Sequence, residues 1–407
     1  MTEAAAVVIF LATYAAIALG KVPGLRLDRA GAALAGAVAM IACGVLTLDD
    51  AYSAVDFDTI SLLLGMMIVV ANLKLSGFFR VVSDWIGAHA RQPLVLLCAV
   101  VGVSGALSAF LVNDTVCLVL TPLVLDLCAR LRRDPVPYLL AVAMASNVGS
   151  VATITGNPQN MIIGSLSHIP YASFAGALAP VAGMGLVLTV GLLAVLFRGS
   201  LWAKRDPVGE EGDPDGAPPP PIRPLIIKGV VVTFGMMIAF FCGLRPALVA
   251  LSGGAIMLLT RRVKSERVYA QIDWPLLVMF SGLFIVVAGM EKAVLSPRMI
   301  AEVGALHLER LPVLSAVSAV LSNLVSNVPA VLVLKPFVTH LPNAQQAWLA
   351  LAMSSTLAGN FTLVGSVANL IVARNAQMRG VEIGFLTYFK AGAPLTLLTL
   401  ILGVWWL

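Results

Sequence analysis

The sequence predicts an all-α polytopic membrane protein with about ten transmembrane helices, two re-entrant hairpins and two broken helices, built as an inverted repeat. Three observations carry that prediction. The 407 residues are 59% hydrophobic and 12% charged, with a mean hydropathy of +0.95, whereas a soluble domain carries about 25% charged residues. Apolar stretches near the ~20 residues that a membrane helix needs recur along the whole chain. Three blocks from the first half return, in the same order, in the second.

Ten segments read as spans: 4–20, 30–47, 59–75, 137–163, 174–197, 225–242, 246–260, 275–290, 347–373 and 384–407. The opening decapeptide has Glu3 and no basic residue, which does not fit a cleaved signal peptide. Basic residues gather in short loops. Lys21, Arg26 and Arg29 follow the first span, Arg198, Lys204 and Arg205 the fifth, and Arg261, Arg262, Lys264 and Arg267 the seventh. Arg374 and Arg379 precede the last span. Positive loops face the cytoplasm, so the acidic loop at 47–58 faces outward and both termini are periplasmic, in a bacterial inner membrane. This topology accounts for the pI of about 9.0, and no nucleic-acid partner is expected.

Two further apolar stretches, 94–129 and 311–339, do not fit as single spans. The first lies between Lys74, Arg80 and Arg91 on one side and Arg130, Arg132 and Arg133 on the other. Both ends are therefore cytoplasmic, and the stretch is a re-entrant hairpin with "VNDT" (112–115) at its tip. The second, with "SNVP" (326–329) at its tip, opens outward. Residues 199–224 are charged and rich in Pro and Gly, as in a flexible cytoplasmic linker. They separate an N-terminal repeat, 1–198, from a C-terminal one, 225–407.

The repeat is visible residue by residue. Block 56–71 aligns with 273–288, matching Asp56 with Asp273 and Gly65 with Gly282. Block 108–122 aligns with 322–336, matching Ser108 with Ser322, Asn113 with Asn327 and Pro122 with Pro336. Block 143–162 aligns with 352–371, matching Ser146 with Ser355, Thr153 with Thr362, Gly156 with Gly365 and Asn160 with Asn369. No block needs a gap. The third pair holds the polar stretch "ASNVGSVATITGNPQN" (145–160), where Gly149, Gly156 and Pro158 are expected to break a helix inside the membrane. Unwound backbone at that depth survives only where protein buries it or a cavity receives it. Inverted repeats with discontinuous helices belong to secondary transporters, whose sites form where the repeats meet.

The same residues carry a resemblance. "LVNDTVCLVLTP", "SNLVSNVPAVLVL", "GNPQNMIIG" and "VGSVANLIV" resemble the ion transporter superfamily, which holds arsenite permeases and sodium-coupled dicarboxylate and citrate symporters. The resemblance covers nearly the whole chain. Dicarboxylate symporters of the group carry Ser-Asn-Thr at both tips, where this chain has Val112-Asn113-Asp114 and Ser326-Asn327-Val328. The Asn-Asp pair of the first tip is closer to arsenite permeases, while "GNPQN" departs from them. The resemblance thus implies efflux of arsenite or antimonite by proton exchange and alternating access. The alternatives are a sodium-coupled anion or dicarboxylate symporter and a sodium/proton antiporter. It also implies a homodimer, and it admits a cytoplasmic ATPase partner that no residue of the chain signals.

Candidate substrate ligands are Asn113, Thr115, Asn147, Thr153, Gly156, Asn157, Asn160, Ser326, Asn327, Thr362, Gly365, Ser366 and Asn369. Asn and Thr side chains hydrogen-bond a neutral hydroxylated solute without a charged clamp, and no arginine is expected inside the membrane to hold a dicarboxylate. Asp114 is the acid placed deepest, and intramembrane acids are usually functional; it is the candidate for proton coupling, with helix capping as its other role. Lys335, beyond the second tip, is expected to snorkel outward. Of five cysteines, all in apolar segments, Cys117 near the first tip is a weak candidate for arsenic contact. The four histidines lie in connecting segments, and neither a metal nor a cofactor is expected. An intramembrane enzyme would need a second acid beside Asp114, and the sequence offers none.

Overall fold

A computed structural model describes residues 2–20, 27–202, 220–294 and 307–407. Lys21, Arg26, Lys204, Arg205 and the expected flexible linker between 203 and 219 lie outside the described residues. Every regular element among the described residues is helical.

The N-terminal half begins with α1 (Thr2–Leu19), α2 (Arg29–Ala42), the short α3 (Leu48–Ala54), α4 (Phe57–Ser76) and α5 (Phe78–His89). It continues with α6 (Pro93–Phe110), α7 (Asn113–Arg130), α8 (Val136–Ser150), α9 (Pro158–Ser167), α10 (Tyr171–Leu196) and α11 (Arg198–Trp202). The C-terminal half holds α12 (Arg223–Phe241), α13 (Pro246–Leu258), α14 (Ser265–Tyr269) and α15 (Trp274–Val294). Then come α16 (Leu311–Val325), α17 (Asn327–Val338), α18 (Ala344–Leu357), α19 (Val367–Met378) and α20 (Phe385–Trp406). Six of these helices are long and apolar enough to cross a membrane by length and composition. One of the six is α6, whose chain turns back at Leu111–Val112 into α7, so the pair is a hairpin.

Three contacts show that the halves are inverted. Ile222 donates its N–H to Ser76 at 2.9 Å, so α12 starts where α4 ends. Arg245, beyond the far end of α12, pairs with Asp58 at the start of α4, with 3.0 Å between Nη2 and Oδ2. Gln271, just before α15, accepts from Lys74 near the end of α4 at 2.7 Å. α4 and α15 occupy matching positions of the repeat, yet α15 starts beside the end of α4 and runs the opposite way.

Element boundaries depart from the sequence reading in instructive places. The first tip turns at Leu111–Val112, so Asn113, Asp114 and Thr115 form the first turn of α7. At the second tip one residue makes the turn, Ser326 at φ 79°, and Asn327 already opens α17. Gly149 does not break its helix. It lies inside α8, where an added Cβ would fall 2.2 Å from the Gly105 carbonyl oxygen of α6, so it permits close helix packing. The break comes after Ser150, through a short 3-10 turn at Ile154–Gly156, with Pro158 at the first position of α9. There its missing N–H costs no hydrogen bond. Within 199–224 the described ends are ordered: residues 199–202 belong to α11, and Arg223 opens α12.

α5 was not expected as a helix. It buries Phe79, Ser83 and Ile86 and exposes Val81 and Trp85, at 44% and 57%. Such two-faced helices lie along membrane interfaces.

Candidate functional site

The two breaks are held by the same device. In the first, the Asn160 side-chain amide donates to the carbonyls of Ser150 and Thr153, both at 3.0 Å. In the second, the Asn369 amide donates to Gly359 at 2.7 Å and Thr362 at 3.1 Å, the repeat-equivalent carbonyls. Each unwound stretch thus has its orphan acceptors satisfied, as burial requires. Asn157 caps α9 by accepting the Asn160 N–H at 2.9 Å, and its equivalent Ser366 caps α19. Thr153 donates to the Ala109 carbonyl of the first hairpin, and Thr362 to Asn323 of the second. Each hairpin is bonded to the break of its own half.

The halves meet through Asn147 and its repeat mate Thr356. The Asn147 amide donates to the Oδ1 atoms of Asn369, at 3.0 Å, and of Asn360, at 2.9 Å. Thr356 donates to Asn160 Oδ1 at 3.5 Å, the same contact in mirror order. Asn147 Oδ1 accepts from Asn113 Nδ2 at 3.1 Å and from the Ser366 hydroxyl at 3.2 Å.

That chain of bonds fixes the amide orientations, which geometry alone leaves ambiguous. Asn369 faces two carbonyls, so its nitrogen points at them and its oxygen at Asn147. Asn147 must then present nitrogen to Asn369 and oxygen to Asn113. Asn113 gives its nitrogen to that oxygen, and its own Oδ1 is left buried without a partner among the described residues. Asn327, the repeat mate at the second tip, also carries a buried Oδ1 without a partner among the described residues.

Both asparagines line one cavity of about 60 Å³ between the hairpin tips. Its wall holds Asn113 and Asp114 of α7, Asn327 and Val328 of α17, Pro158 and Gln159 of α9, and Ser366 and Val367 at the start of α19. Four helix N-termini converge there, each contributing partial positive charge. Ile17, Arg29, Leu276, Met279 and Phe280 of α1, α2 and α15 also line it. The volume lies far below the ~300 Å³ at which pockets for drug-sized ligands begin.

The structure therefore brings Asn113, Asp114, Ser326, Asn327 and Ser366 to the cavity. Asn147, Asn157, Asn160, Thr153, Thr362, Gly156, Gly365 and Asn369 stand behind it and brace the breaks. Thr115, half-buried, is not among the lining residues. Cys117 is buried, with its Sγ 3.1 Å from the Ser146 hydroxyl, and does not line the cavity. Asp114 makes no side-chain cap: α7 starts from Val112 without one. Gln159 and Arg29 were missed. Gln159 stood in view inside "GNPQN", whereas Arg29 read as a plain cytoplasmic loop residue. Its presence on the cavity wall overturns the expectation that no arginine reaches the site. Lys335 does not snorkel freely; its Nζ lies 3.0 Å from Glu291 of α15.

Comparisons with known proteins agree with this architecture. A citrate transporter family model matches residues 14–358. An uncharacterized transporter of Mycobacterium tuberculosis is 31% identical, over 98% of this chain and 96% of its own length. The rice (Oryza sativa subsp. japonica) silicon efflux transporter LSI3 is 33% identical, over 94% and 93%. A Dictyostelium discoideum protein given the transporter name arsB is 26% identical, over 93% and 87%. The fold is that of the Alcanivorax borkumensis YdaH transporter, with a TM-score of 0.61 at 16% identity, over 99% of this chain and 96% of that one. The relatives are transporters and not enzymes, and with a family model covering most of its length the chain belongs to the citrate transporter family, within the ion transporter superfamily.

Proposed function

We propose that this secondary transporter exports small undissociated metalloid acids, arsenite or antimonite, in exchange for protons by alternating access. The observation that carries this reading is a pair of acceptors without a partner among the described residues, Asn113 Oδ1 and Asn327 Oδ1, at equivalent places on one small cavity. A buried acceptor left unmatched costs about 1–3 kcal/mol, and a ligand bearing hydroxyl groups on opposite sides satisfies both. A carboxylate would set lone pairs against lone pairs. Asp114 supplies the exchange: ionised, it accepts from a substrate hydroxyl; protonated, it no longer needs one. Substrate and proton then compete for one carboxylate, which is the logic of an antiporter. The names of the rice and Dictyostelium relatives point to the same class of solute.

A second reading, a sodium-coupled anion or dicarboxylate symporter, is favoured by Arg29 and the four helix N-termini at the cavity. Sodium/proton antiport stands third. Everted vesicles separate them. The first reading expects arsenite accumulation driven by a proton gradient and abolished by Asp114→Asn, with the variant folding normally. Labelled succinate or citrate uptake that follows an imposed sodium gradient, with arsenite unmoved, would replace it with the second.

A further inference from the structure

A second cleft is far larger than the cavity between the hairpin tips. It measures about 980 Å³ and separates the first hairpin from the ends of α4, α5 and α13. Six cationic side chains line it, Lys74, Arg80, Arg130, Arg262, Arg267 and Arg379, against two carboxylates, Asp84 and Asp126. Those carboxylates are already engaged. Asp84 lies 3.6 Å from Arg130 and 4.0 Å from Arg80, and Asp126 pairs with Arg379. Lys74 donates to the neutral Gln271. Arg262 and Arg267 have no carboxylate within ion-pair distance among the described residues.

Cations such as Arg262 and Arg267, without a carboxylate partner among the described residues, attract an anion to a cleft between membrane helices. A second feature selects its kind. Leu118, Val119 and Leu123 of α7 line the same cleft, with Leu118 40% exposed. α5 turns Arg80, Ser83 and Asp84 to the cleft and leaves Trp85 and Val81 exposed beside it. Tryptophan on an exposed helix face marks the depth of lipid headgroups. The cleft therefore offers cations at headgroup level and an apolar shoulder running along the hairpin. We propose that it seats the phosphate headgroup of an anionic phospholipid, held by Arg262 and Arg267, with an acyl chain against Leu118 and Leu123. The lipid bridges the scaffold and the first hairpin and wedges them apart. This seat is independent of what the transporter carries.

The test uses the full-length purified transporter and native mass spectrometry with phosphatidylglycerol and phosphatidylcholine. Phosphatidylglycerol is expected to remain bound where phosphatidylcholine is stripped. The double variant Arg262→Gln/Arg267→Gln should weaken its retention about tenfold or more, while Arg91→Gln, outside the cleft, changes nothing. Melting temperatures of both variants check that each is folded. Equal retention of the two lipids, or full retention by the folded double variant, overturns the proposal. Displacement of phosphatidylglycerol by inorganic phosphate alone also overturns it, in favour of a soluble-anion site.

Discussion

The two hairpins meet the rest of the molecule in different ways. At the first, a cleft of about 980 Å³ opens between α7 and the end of α4. At the second, contacts between described residues tie α17 to the end of α15 and to α1. Lys335 of α17 pairs with Glu291 of α15, and Tyr14 of α1 donates its hydroxyl to the Pro329 carbonyl at 3.3 Å. Extending the repeat without gaps makes Lys74 the mate of Glu291 and Thr121 the mate of Lys335. The first half thus places a lysine opposite a threonine, with nothing to draw them together, where the second half places an ion pair. The backbone symmetry is a property of the fold. Among the described residues these two side-chain positions depart from it.

Experiments that disturb this comparison differ in expected size. The largest effect is expected at Asn147, where the halves join. Asn147→Ala removes hydrogen bonds to Asn113, Asn360, Ser366 and Asn369 at once. It should abolish transport and cost at least about 3 kcal/mol of stability, read by thermal unfolding in detergent. Thr356→Val at the mirror position removes a long bond to Asn160, at 3.5 Å, and an acceptor for the side-chain amides of Asn157 and Gln159, at 3.2 and 3.1 Å; it should cost about 1–2 kcal/mol, less than Asn147→Ala. Equal losses at the two positions would mean that the junction is symmetric after all.

A middle-sized effect is expected where the symmetry is kept. An added Cβ at Gly65 would fall 2.4 Å from the Ala250 carbonyl carbon, and one at Gly282 would fall 2.7 Å from that of Ala33. Gly65→Ala and Gly282→Ala should each destabilise by about 1–3 kcal/mol through overpacking against backbone. The double variant should show the sum, because the two contacts share no partner. A loss at one glycine and not the other would confine the repeat to the hairpins and breaks.

The smallest energy, and the sharpest readout, belongs to the ion pair. Both side chains are about a quarter to a third exposed, at 30% and 26%, so solvent screening holds the pair to under about 1 kcal/mol. Lys335→Gln or Glu291→Gln should nonetheless raise hydrogen–deuterium exchange across 311–338, and the swap Lys335→Glu with Glu291→Lys should restore protection. Exchange that stays unchanged in the single variants would show that the ion pair does not hold the second hairpin to α15.

Much of the site was legible in the chain. Asn113 with Asn327 and Asn160 with Asn369 stood out because each occurs twice, at matched positions in gapless blocks. Gly149 misled, since glycine serves helix breaking and close packing alike, and only the position of Gly105 decides between them. Arg29 was hidden because its loop charge fits topology equally well. α5 was hidden because an interfacial helix has too short an apolar run to register as a span.

By itself the sequence determined what backbone chemistry and lipid impose: apolar runs of spanning length and a repeat that names equivalent residues. These are local or periodic constraints, and a chain records them in order. Which equivalent residues brace a break and which face the cavity was decided only in three dimensions. So were the oxygens of Asn113 and Asn327 left without a partner among the described residues, the placing of Arg29 on the cavity wall, and the Lys335–Glu291 pair. Hydrogen-bond donors and acceptors must be matched across elements more than two hundred residues apart, and no local pattern encodes that matching.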